Sequence, residues 1–428
     1  MNRALFFTAL LFACSPVKGT PLIDAAMLTI DSMQIMPGSA SLRLGLDPPA
    51  KLVVNAALSD GTTRDITNYV TWSSSDDTVA SIPFGALTAV HAGTAVVTAA
   101  YGPATAMAQV TVRDAMIAVT TEQITVPAGT LPTGIVFFDA LASGSATPLR
   151  EIRGSDTTQL TNPFSLDVDG SNNELYVADN ETGVWVFPLD GSGSAVMPLR
   201  HIPVTSTATP TMTQMTFVLA VRVVGDEVFV AGEALGSNNT NVGAVAVYSR
   251  LADGSGAAPL RLISGSNTTL STAVEGMGVA GGKIYVANLS PPEIAVFDSD
   301  ATGDIAPSQV VSTPPSVSPM TLQPTLAEPI DVHVFNNELY VSDISNGILV
   351  FPLDAGSNAN PTRWLHGPDT MFSVTTDMTQ IGETLVCAQN NTSVLTTSSL
   401  EATGDIAPMS VLTGSATGFQ FPIGLVAF

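Results

Sequence analysis

Short runs of alternating apolar and polar residues, paired around polar turns, recur along the second part of the chain. The two sharpest copies span residues 173–189 and 337–353, and weaker copies lie at 228–248 and 283–297. Alternation with a period of two is typical of β-strands, and two such runs around a short polar turn predict a β-hairpin. The pattern therefore predicts a repeated antiparallel unit.

Each full repeat contains four such runs: an inner run, a Tyr-Val-Ala run, a Val-x-Val-Phe run and an outer Pro-Leu-Arg run. Five copies can be delimited, at residues 163–202, 217–263, 274–311, 329–365 and 372–412. Periods of roughly 45–55 residues with four strands each are typical of a β-propeller. Residues 114–428 are therefore predicted to form one.

The two ends of this repeat region complete each other. Residues 421–428 supply an inner run with nothing after it, whereas residues 115–152 supply the other three runs without an inner one. A sixth blade closed by strands from both ends, with the C-terminal strand innermost, leaves no free sheet edge to aggregate. With the five full copies, this closing blade predicts a six-bladed propeller. The repeat resembles the NHL class of propellers.

Residues 28–113 carry shorter alternating runs separated by Gly, Pro and Asp-Gly turns, a pattern that predicts a β-sandwich. The segments that follow one another here resemble the group 2 bacterial immunoglobulin-like domain: residues 60–67, 70–76, 79–82, 85–89 and 92–95. The resemblance implies a spacer or adhesion module, with Trp72 as an anchor of its core. The fold class predicted for the whole chain is all-β, an Ig-like β-sandwich followed by a six-bladed β-propeller.

The first residues have the pattern of a targeting segment. Residues 1–14 combine a positive charge, a short apolar stretch and a Leu-Phe-Ala-Cys end at 11–14. This resembles a bacterial lipoprotein signal peptide with its lipobox, which implies that Cys14 becomes the acylated N-terminus and that Ser15 directs the protein to the outer membrane. The alternative is an ordinary secretory signal, and either one places the protein outside the cytoplasm. Residues 15–27 are predicted to be a tether.

The net charge limits the classes of partner that the protein can bind, and the cysteine content bears on its core. The formal charge of −23 with 14 Lys and Arg residues argues against nucleic acid, because phosphate binding needs a basic surface. It also disfavours anionic lipid headgroups, so membrane contact is expected only through a lipid anchor on Cys14. Cys387 lies in an apolar run and is expected to be a small buried hydrophobe. We expect a monomer.

The inner strands hold the candidate site, because in a propeller they line the central channel where ligands bind. Aligning the repeats on Tyr176, Phe229, Tyr285 and Tyr340 places Asp167, Arg222, Gly278 and His333 in one column. The neighbouring column contains Ser165, Ala220, Gly276 and Asp331. The candidate channel-lining polar cluster therefore consists of Ser165, Asp167, Arg222, Asp331 and His333.

Two metal hypotheses arise from these residues. Asp167, Asp331 and His333 could hold a divalent ion as the channels of gluconolactonase- and paraoxonase-like propellers do, but Arg222 would place a positive charge there. The other blades would contribute glycine, Thr or Met, and Val426, so a satisfied polar network is the favoured interpretation. The oxygen-rich turn at 167–174 has the look of a calcium loop, although Asn, Gly and Asp also form ordinary turns. We predict no cofactor.

Two further repeated features invite a functional interpretation. The Ala-Thr-Gly-Asp-Ile-Ala-Pro segments at 301–307 and 402–408 occupy the same place between third and outer strands, which indicates turn chemistry. The arginines of the outer runs could form an anion-binding ring, but their spread over different blades favours solvated protection of sheet edges. They are Arg150, Arg200, Arg261 and Arg363.

No catalytic constellation stands out. The favoured hypothesis is a non-catalytic envelope lipoprotein whose propeller binds a protein or glycan, with the Ig-like domain as spacer or adhesion module. One alternative is a metal-dependent lactonase-, esterase- or lyase-type enzyme that uses the channel. The other is a purely structural envelope protein.

Overall fold

The computed structural model describes residues 28–44, 46–47, 49–122, 124–126, 129–140, 142–154, 157–205, 214–236, 240–272, 274–314 and 324–428. The predicted signal peptide, Cys14 and the tether at 15–27 lie outside the described residues. The chain divides into two compact units after Arg113. The protein is all-β, as the alternating pattern predicts.

The first unit contains three sheets around one apolar core. Two sheets have the strand orders β1-β4-β5 and β2-β10-β9-β6, and a small third sheet has the order β3-β8-β7. The strands are β1 (Ile30–Met36), β2 (Ser39–Leu44), β3 (Ala50–Lys51), β4 (Val53–Leu58), β5 (Thr63–Asp65), β6 (Thr71–Ser74), β7 (Ala80–Ser81), β8 (Ala86–Ala89), β9 (Gly93–Tyr101) and β10 (Ala104–Asp114). A single turn of 3-10 helix lies at Pro83–Gly85.

Trp72 differs from its predicted role. Its side chain is half-buried and packs at the edge of the core, whose buried centre is aliphatic and includes Leu52, Val54 and Val97. The indole N–H points to the carbonyl of Thr67 at 3.4 Å. Because β6 is an edge strand of its sheet, its Trp72 covers the edge of the core and leaves the centre to aliphatic side chains.

The second unit is built from four-stranded antiparallel sheets. Its strands are β11 (Met116–Thr121), β12 (Ile124–Val126), β13 (Gly129–Leu131), β14 (Gly134–Asp139), β15 (Arg150–Arg153), β16 (Pro163–Asp169), β17 (Glu174–Asp179), β18 (Gly183–Pro188), β19 (Arg200–Pro203), β20 (Met215–Val224), β21 (Glu227–Leu235), β22 (Asn241–Ser249) and β23 (Arg261–Ser264). The later strands are β24 (Val274–Ala280), β25 (Lys283–Asn288), β26 (Glu293–Asp298), β27 (Gln309–Val311), β28 (Pro329–Phe335), β29 (Glu338–Asp343), β30 (Gly347–Pro352), β31 (Arg363–Leu365), β32 (Thr375–Ile381), β33 (Thr384–Gln389), β34 (Val394–Ser399), β35 (Ser410–Leu412) and β36 (Leu425–Ala427). Single 3-10 turns occupy Ser266–Thr268, Pro368–Thr370 and Ser415–Thr417.

These sheets form a ring. Five of them are simple meanders, β16 to β19, β20 to β23, β24 to β27, β28 to β31 and β32 to β35, and another has the order β15-β14-β11-β36. The inner strands β16, β20, β24, β28, β32 and β36 each contact the next, and β36 contacts β16. The C-terminal strand is hydrogen-bonded to β11, from the start of the unit. This is the arrangement of a β-propeller.

Burial explains why the middle strands read as continuous apolar runs. Every residue of β17 and most of β29 is buried, because each sheet is covered on both faces by its neighbours. Cys387 lies in such a strand and is buried and unpaired, which agrees with its prediction as a small hydrophobe. Burial raises the pKa of its thiol.

The repeated Gly-Asp turns do more than reverse the chain. Gly303 forms a parallel bridge with Ile263 of the preceding sheet, and Gly404 forms the same bridge with Leu365. The Asp405 carboxylate, next to Gly404, accepts a hydrogen bond from the backbone N–H of Asp369 at 2.7 Å. These segments are turns, as predicted, and they also tie each outer strand to the next sheet.

Candidate functional site

The inner strands place the residues of the predicted polar cluster at equivalent positions of successive sheets. In the sheets, Asp167 pairs with Tyr176, Arg222 with Phe229, Gly278 with Tyr285 and His333 with Tyr340. This register is the alignment that the sequence predicts. Since side chains two residues apart share a face of a strand, the neighbouring column also faces the channel.

Arg222 is the hub of the cluster. Its Nη1 donates to Ser165 Oγ at 3.0 Å and to the Val221 carbonyl at 2.8 Å. Its Nη2 lies 2.8 Å from His333 Nε2, 3.7 Å from Asp331 Oδ1 and 3.8 Å from Asp377 Oδ1. The guanidinium is therefore buried beside two carboxylates and an imidazole, and its Nε has no hydrogen-bond partner among the described residues.

His333 lies between two carboxylates. Its Nε2 is 3.0 Å from both Asp331 Oδ2 and Asp377 Oδ1. Nε2 cannot accept from Arg222 and donate to a carboxylate at once, and two carboxylates against one guanidinium favour the charged ring that donates. Burial alone would lower the pKa of His333, but the Asp331 and Asp377 carboxylates together outweigh burial and Arg222 and raise that pKa to about 9.

Asp377 is the member of this group that the alignment missed. It pairs with Ala388 in the fifth repeat, in the register that joins Asp331 to Ser342 in the fourth. The sequence analysis assigned Thr or Met to this blade, and that assignment was wrong for the second column. The fifth repeat has Val386 where other repeats have an aromatic residue, so the alignment lost its marker there. Matching Asp377 to Asp331 by counting from Cys387-Ala388 would have found it.

Asp377 is held firmly in place. Its Oδ1 accepts from the N–H of Met378 at 2.8 Å, and its Oδ2 accepts from the N–H of Leu425 on the C-terminal strand at 2.9 Å. Burial and the like charge of Asp331 raise the pKa of Asp377. Burial would also raise the pKa of Asp331, but His333 and Arg222 together lower it. The pKa values of the two neighbouring carboxyl groups are thus shifted in opposite directions.

Asp167 belongs to the network but not to its centre. Its carboxylate accepts from the N–H groups of Val223 at 2.7 Å and Val168 at 2.8 Å. Burial raises its pKa, and Arg222 opposes that rise. The donors that converge are therefore Asp331, His333 and Asp377, whose ligand atoms lie within 4.8 Å of one another. Asp167, which belonged to the disfavoured metal set considered from the sequence, is not among them.

The oxygen donors of the turn at 167–174, considered from the sequence as a calcium loop, do not converge on one point. Asp169 caps the turn by accepting from Ser171 N at 3.0 Å and from the Asn172 side chain at 2.6 Å. Glu174 instead pairs with Arg200 at 2.8 Å. Because Asp167 reaches into the channel, the oxygen donors of this segment point to different places.

Three of the four outer arginines form ion pairs within their own sheets, which corrects the prediction that these side chains are solvated. Arg200 pairs with Glu174, Arg261 with Glu227 and Arg363 with Glu338, each glutamate being at the start of the second strand of the same sheet. Arg150 donates to the Gly191 carbonyl at 2.6 Å and lies over the Phe137 ring. No anion-binding ring results.

Glycines on β24 make the converging contacts geometrically feasible. A Cβ on Gly276 would lie 2.6 Å from Asp331 Cα, and one on Gly278 would lie 2.8 Å from the Val332 carbonyl oxygen. Neither distance is tolerated for a real side chain. The bare backbone of β24 lets β28 approach closely and leaves room for Arg222, on β20, to reach His333 on β28.

A cavity of about 190 Å³ opens above the cluster, at the ends where the inner strands begin. Its polar lining includes Ser165, Glu275, Asp331 and Asp377. Its apolar lining includes Phe164, Leu219, Ile330, Ile344, Val374 and Ile423. We call this cavity the channel mouth. An apolar cavity with a few convergent polar groups is the usual form of a small-molecule site.

Glu275 is the second residue that the sequence analysis missed. No hydrogen bond or ion pair of its carboxylate is found within the part of the chain that the structure describes, and burial raises its pKa. It stands next to Gly276 on β24, and nothing in the repeat marks that position. Among the described residues, it is an acid of the channel mouth without a hydrogen-bonding or ion-pairing partner.

A second cavity lies on the same face. It has a volume of about 310 Å³, and Ile344 contributes to the walls of both cavities. Its lining includes Asn346, Trp364, His366 and Phe372, at the boundary between the fourth and fifth repeats. The two cavities are therefore neighbours.

Comparisons with known proteins give fold similarities only. No protein-family model matches the sequence, and no curated protein is significantly similar to it. A periplasmic gluconolactonase of Pseudomonas aeruginosa is 14% identical, with a TM-score of 0.45 over 73% of this chain and 99% of the other. A putative 6-phosphogluconolactonase of Bacteroides fragilis gives 13% and 0.43 over 74% and 98%, and a nidogen/laminin complex gives 12% and 0.45 over 73% and 98%. These similarities say nothing of what this chain binds.

Within the described ranges, no helix is long and apolar enough to cross a bilayer.

Proposed function

We propose that the second unit is a six-bladed, NHL-like β-propeller and that the first is a group 2 bacterial Ig-like domain. The ring of inner strands supports the first assignment. The β-sheets around one aliphatic core, carrying the motif at 60–95, support the second. An experimental structure with a different number of sheets around the channel would contradict the first assignment.

We also propose that the protein is an outer-membrane lipoprotein anchored through Cys14. The support is the signal pattern at residues 1–14. Metabolic labelling with a fatty-acid analogue should mark the wild-type protein and leave Cys14→Ser unlabelled. Labelling of both, or of neither, would contradict the anchor.

For the activity, we propose that the channel mouth is the active site of a small-molecule enzyme of the lactonase, esterase or lyase type. The observation that carries this is the meeting of Glu275, Asp331 and Asp377 in one cavity, with environments that move their pKa values in different directions. Carboxyl groups with divergent pKa values in a cavity are the usual basis of acid–base catalysis. A purely structural channel would have no need of an unpaired acid.

Glu275 is the residue proposed to exchange a proton with the substrate, because its carboxylate has no hydrogen bond or ion pair within the described part of the chain. In hydrolysis, a base removes a proton from water, the water oxygen bonds to the carbonyl carbon, and the carbon–oxygen bond to the leaving alcohol breaks as that oxygen takes up a proton. Glu275 can accept the first proton and return it to the leaving oxygen. The base of the channel mouth is polar because it is formed by Asp331 and Asp377, which contact His333 below them.

The test is turnover of a panel of lactones, carboxylic esters and uronic-acid glycosides by purified residues 15–428. Glu275→Gln should lower the rate by about 10²–10⁴-fold, the usual share of a general acid–base group. Glu181→Gln, the same change at an exposed position on a turn, is the matched control and should leave the rate unchanged.

The non-catalytic alternative predicts a different result. If no substrate turns over, and a protein or glycan ligand binds equally well to the wild type and to Glu275→Gln, the enzyme proposal is refuted. The binding-scaffold hypothesis of the sequence analysis would then stand.

A further inference from the structure

The converging donors of the channel have the composition of a divalent cation site. Two carboxylates and an imidazole, from Asp331, Asp377 and His333, offer ligand atoms within 4.8 Å of one another. Such mixed sets bind zinc and other divalent ions when the nitrogen and oxygens can all face the ion. The arrangement of a fourth side chain decides whether they can do so here.

Arg222 places a cation among these donors. Its Nη2 is 2.8 Å from the nitrogen that would be the ligand, His333 Nε2. The same atom is 3.7 and 3.8 Å from oxygens of Asp331 and Asp377. A bound ion would need to lie about 2.0–2.4 Å from each donor. It would therefore collide with the guanidinium and bring a like charge into contact with it.

The guanidinium cannot easily turn aside. Its Nη1 is held by Ser165 Oγ at 3.0 Å and by the Val221 carbonyl at 2.8 Å. The side chain is only 10% exposed. The missing side chains at Gly276 and Gly278 leave it a path across β24 to His333 on β28. These contacts and the absent side chains hold the Arg222 guanidinium at this position.

We infer that Arg222 is the resident cation of the channel, taking the position that a divalent metal ion would otherwise occupy, so that the site works without a bound metal. That the site is active without a metal ion rests on the proposed function. That Arg222 excludes the ion is independent of any activity. It departs from the metal-dependent enzyme considered from the sequence. It makes Arg222 a positioning residue, because it acts through Asp331, Asp377 and His333 and does not line the channel mouth.

The test measures metal directly. Residues 15–428, purified without chelator, are examined by mass spectrometry for bound ions, and their melting temperature is followed during titration with Ca²⁺, Mn²⁺ and Zn²⁺. The wild type should hold far less than one ion per chain and show no saturable shift. Arg222→Met removes the charge at similar length and should gain a saturable rise of about 5 °C at ion concentrations about 100-fold above the dissociation constant.

Controls separate the channel from other sites and from activity. The double variant Arg222→Met/Asp377→Asn should lose the gain, because it lacks one donor. An ion near one per chain in the wild type that Asp377→Asn removes would overturn the inference, as would a folded Arg222→Met that gains no response. If Arg222→Met does not fold, the ion content of the wild type still decides. Loss of the proposed activity would leave these metal results untouched.

Discussion

Replacing Arg222 by Met should destabilise the second unit by about 3–5 kcal/mol, the usual cost of removing one partner from a buried charge network. Each Arg222 to carboxylate separation of 3.7 or 3.8 Å corresponds to roughly 4 kcal/mol of attraction at an effective dielectric constant near 20, before desolvation is subtracted. The variant also removes the Nη1 hydrogen bonds to the Val221 carbonyl and to Ser165 Oγ, which keeps only a long hydrogen bond from the Val221 N–H at 3.4 Å. The expected loss is therefore large for one substitution.

Differential scanning calorimetry of residues 15–428 measures this loss on the transition of the second unit. Arg261→Met is a matched control, because it breaks a more exposed pair with Glu227 and should cost about 1 kcal/mol. Adding Asp377→Asn to Arg222→Met should recover about 1–3 kcal/mol, since it removes one uncompensated negative charge. A loss below about 1 kcal/mol, or an Asp377→Asn effect that simply adds to the loss, would refute the idea that Arg222 balances these carboxylates.

Three further results are expected from the channel. Glu275→Gln should stabilise the protein at neutral pH and not at acid pH. Burial raises the pKa of the Glu275 carboxyl group in the folded protein, so this group costs no stability when the pH is below its pKa in the unfolded chain and costs most when the pH is above its pKa in the folded protein. Melting temperatures that differ equally at every pH would contradict this. The stabilisation from protonated His333 should be complete below the ordinary histidine pKa of 6.5 and should disappear as the pH rises through about 9. His333→Gln should therefore flatten the pH profile of stability between these values, and an unchanged profile would count against the charged ring. Gly276→Ala should cost about 1–3 kcal/mol in urea unfolding because its Cβ meets the Asp331 backbone, whereas Gly256→Ala, with open space around its Cβ, should cost little; equal costs would contradict the close approach of β24 and β28.

The site shows where reasoning from one sequence stops. Ser165, Asp167, Arg222, Asp331 and His333 were placed in the channel because aromatic markers aligned their repeats, and the strand registers agree with that alignment. Asp377 was missed because its repeat lacks the marker, and Glu275 because nothing periodic distinguishes it. The outer arginines were misjudged for another reason. Their partners are glutamates two strands away in the same sheet, a relation that the spacing of the runs does not reveal.

The sequence by itself determined the all-β class and the four-run repeat unit, because alternation and turn residues act over a few neighbouring positions. Tertiary structure alone decided which side chains meet in the channel. Arg222 and His333 are 111 residues apart and touch only because the ring closes and the glycines of β24 let the strands approach. The protonation of the cluster follows from the same closure, because burial and charge proximity are properties of the assembled ring and not of any one repeat.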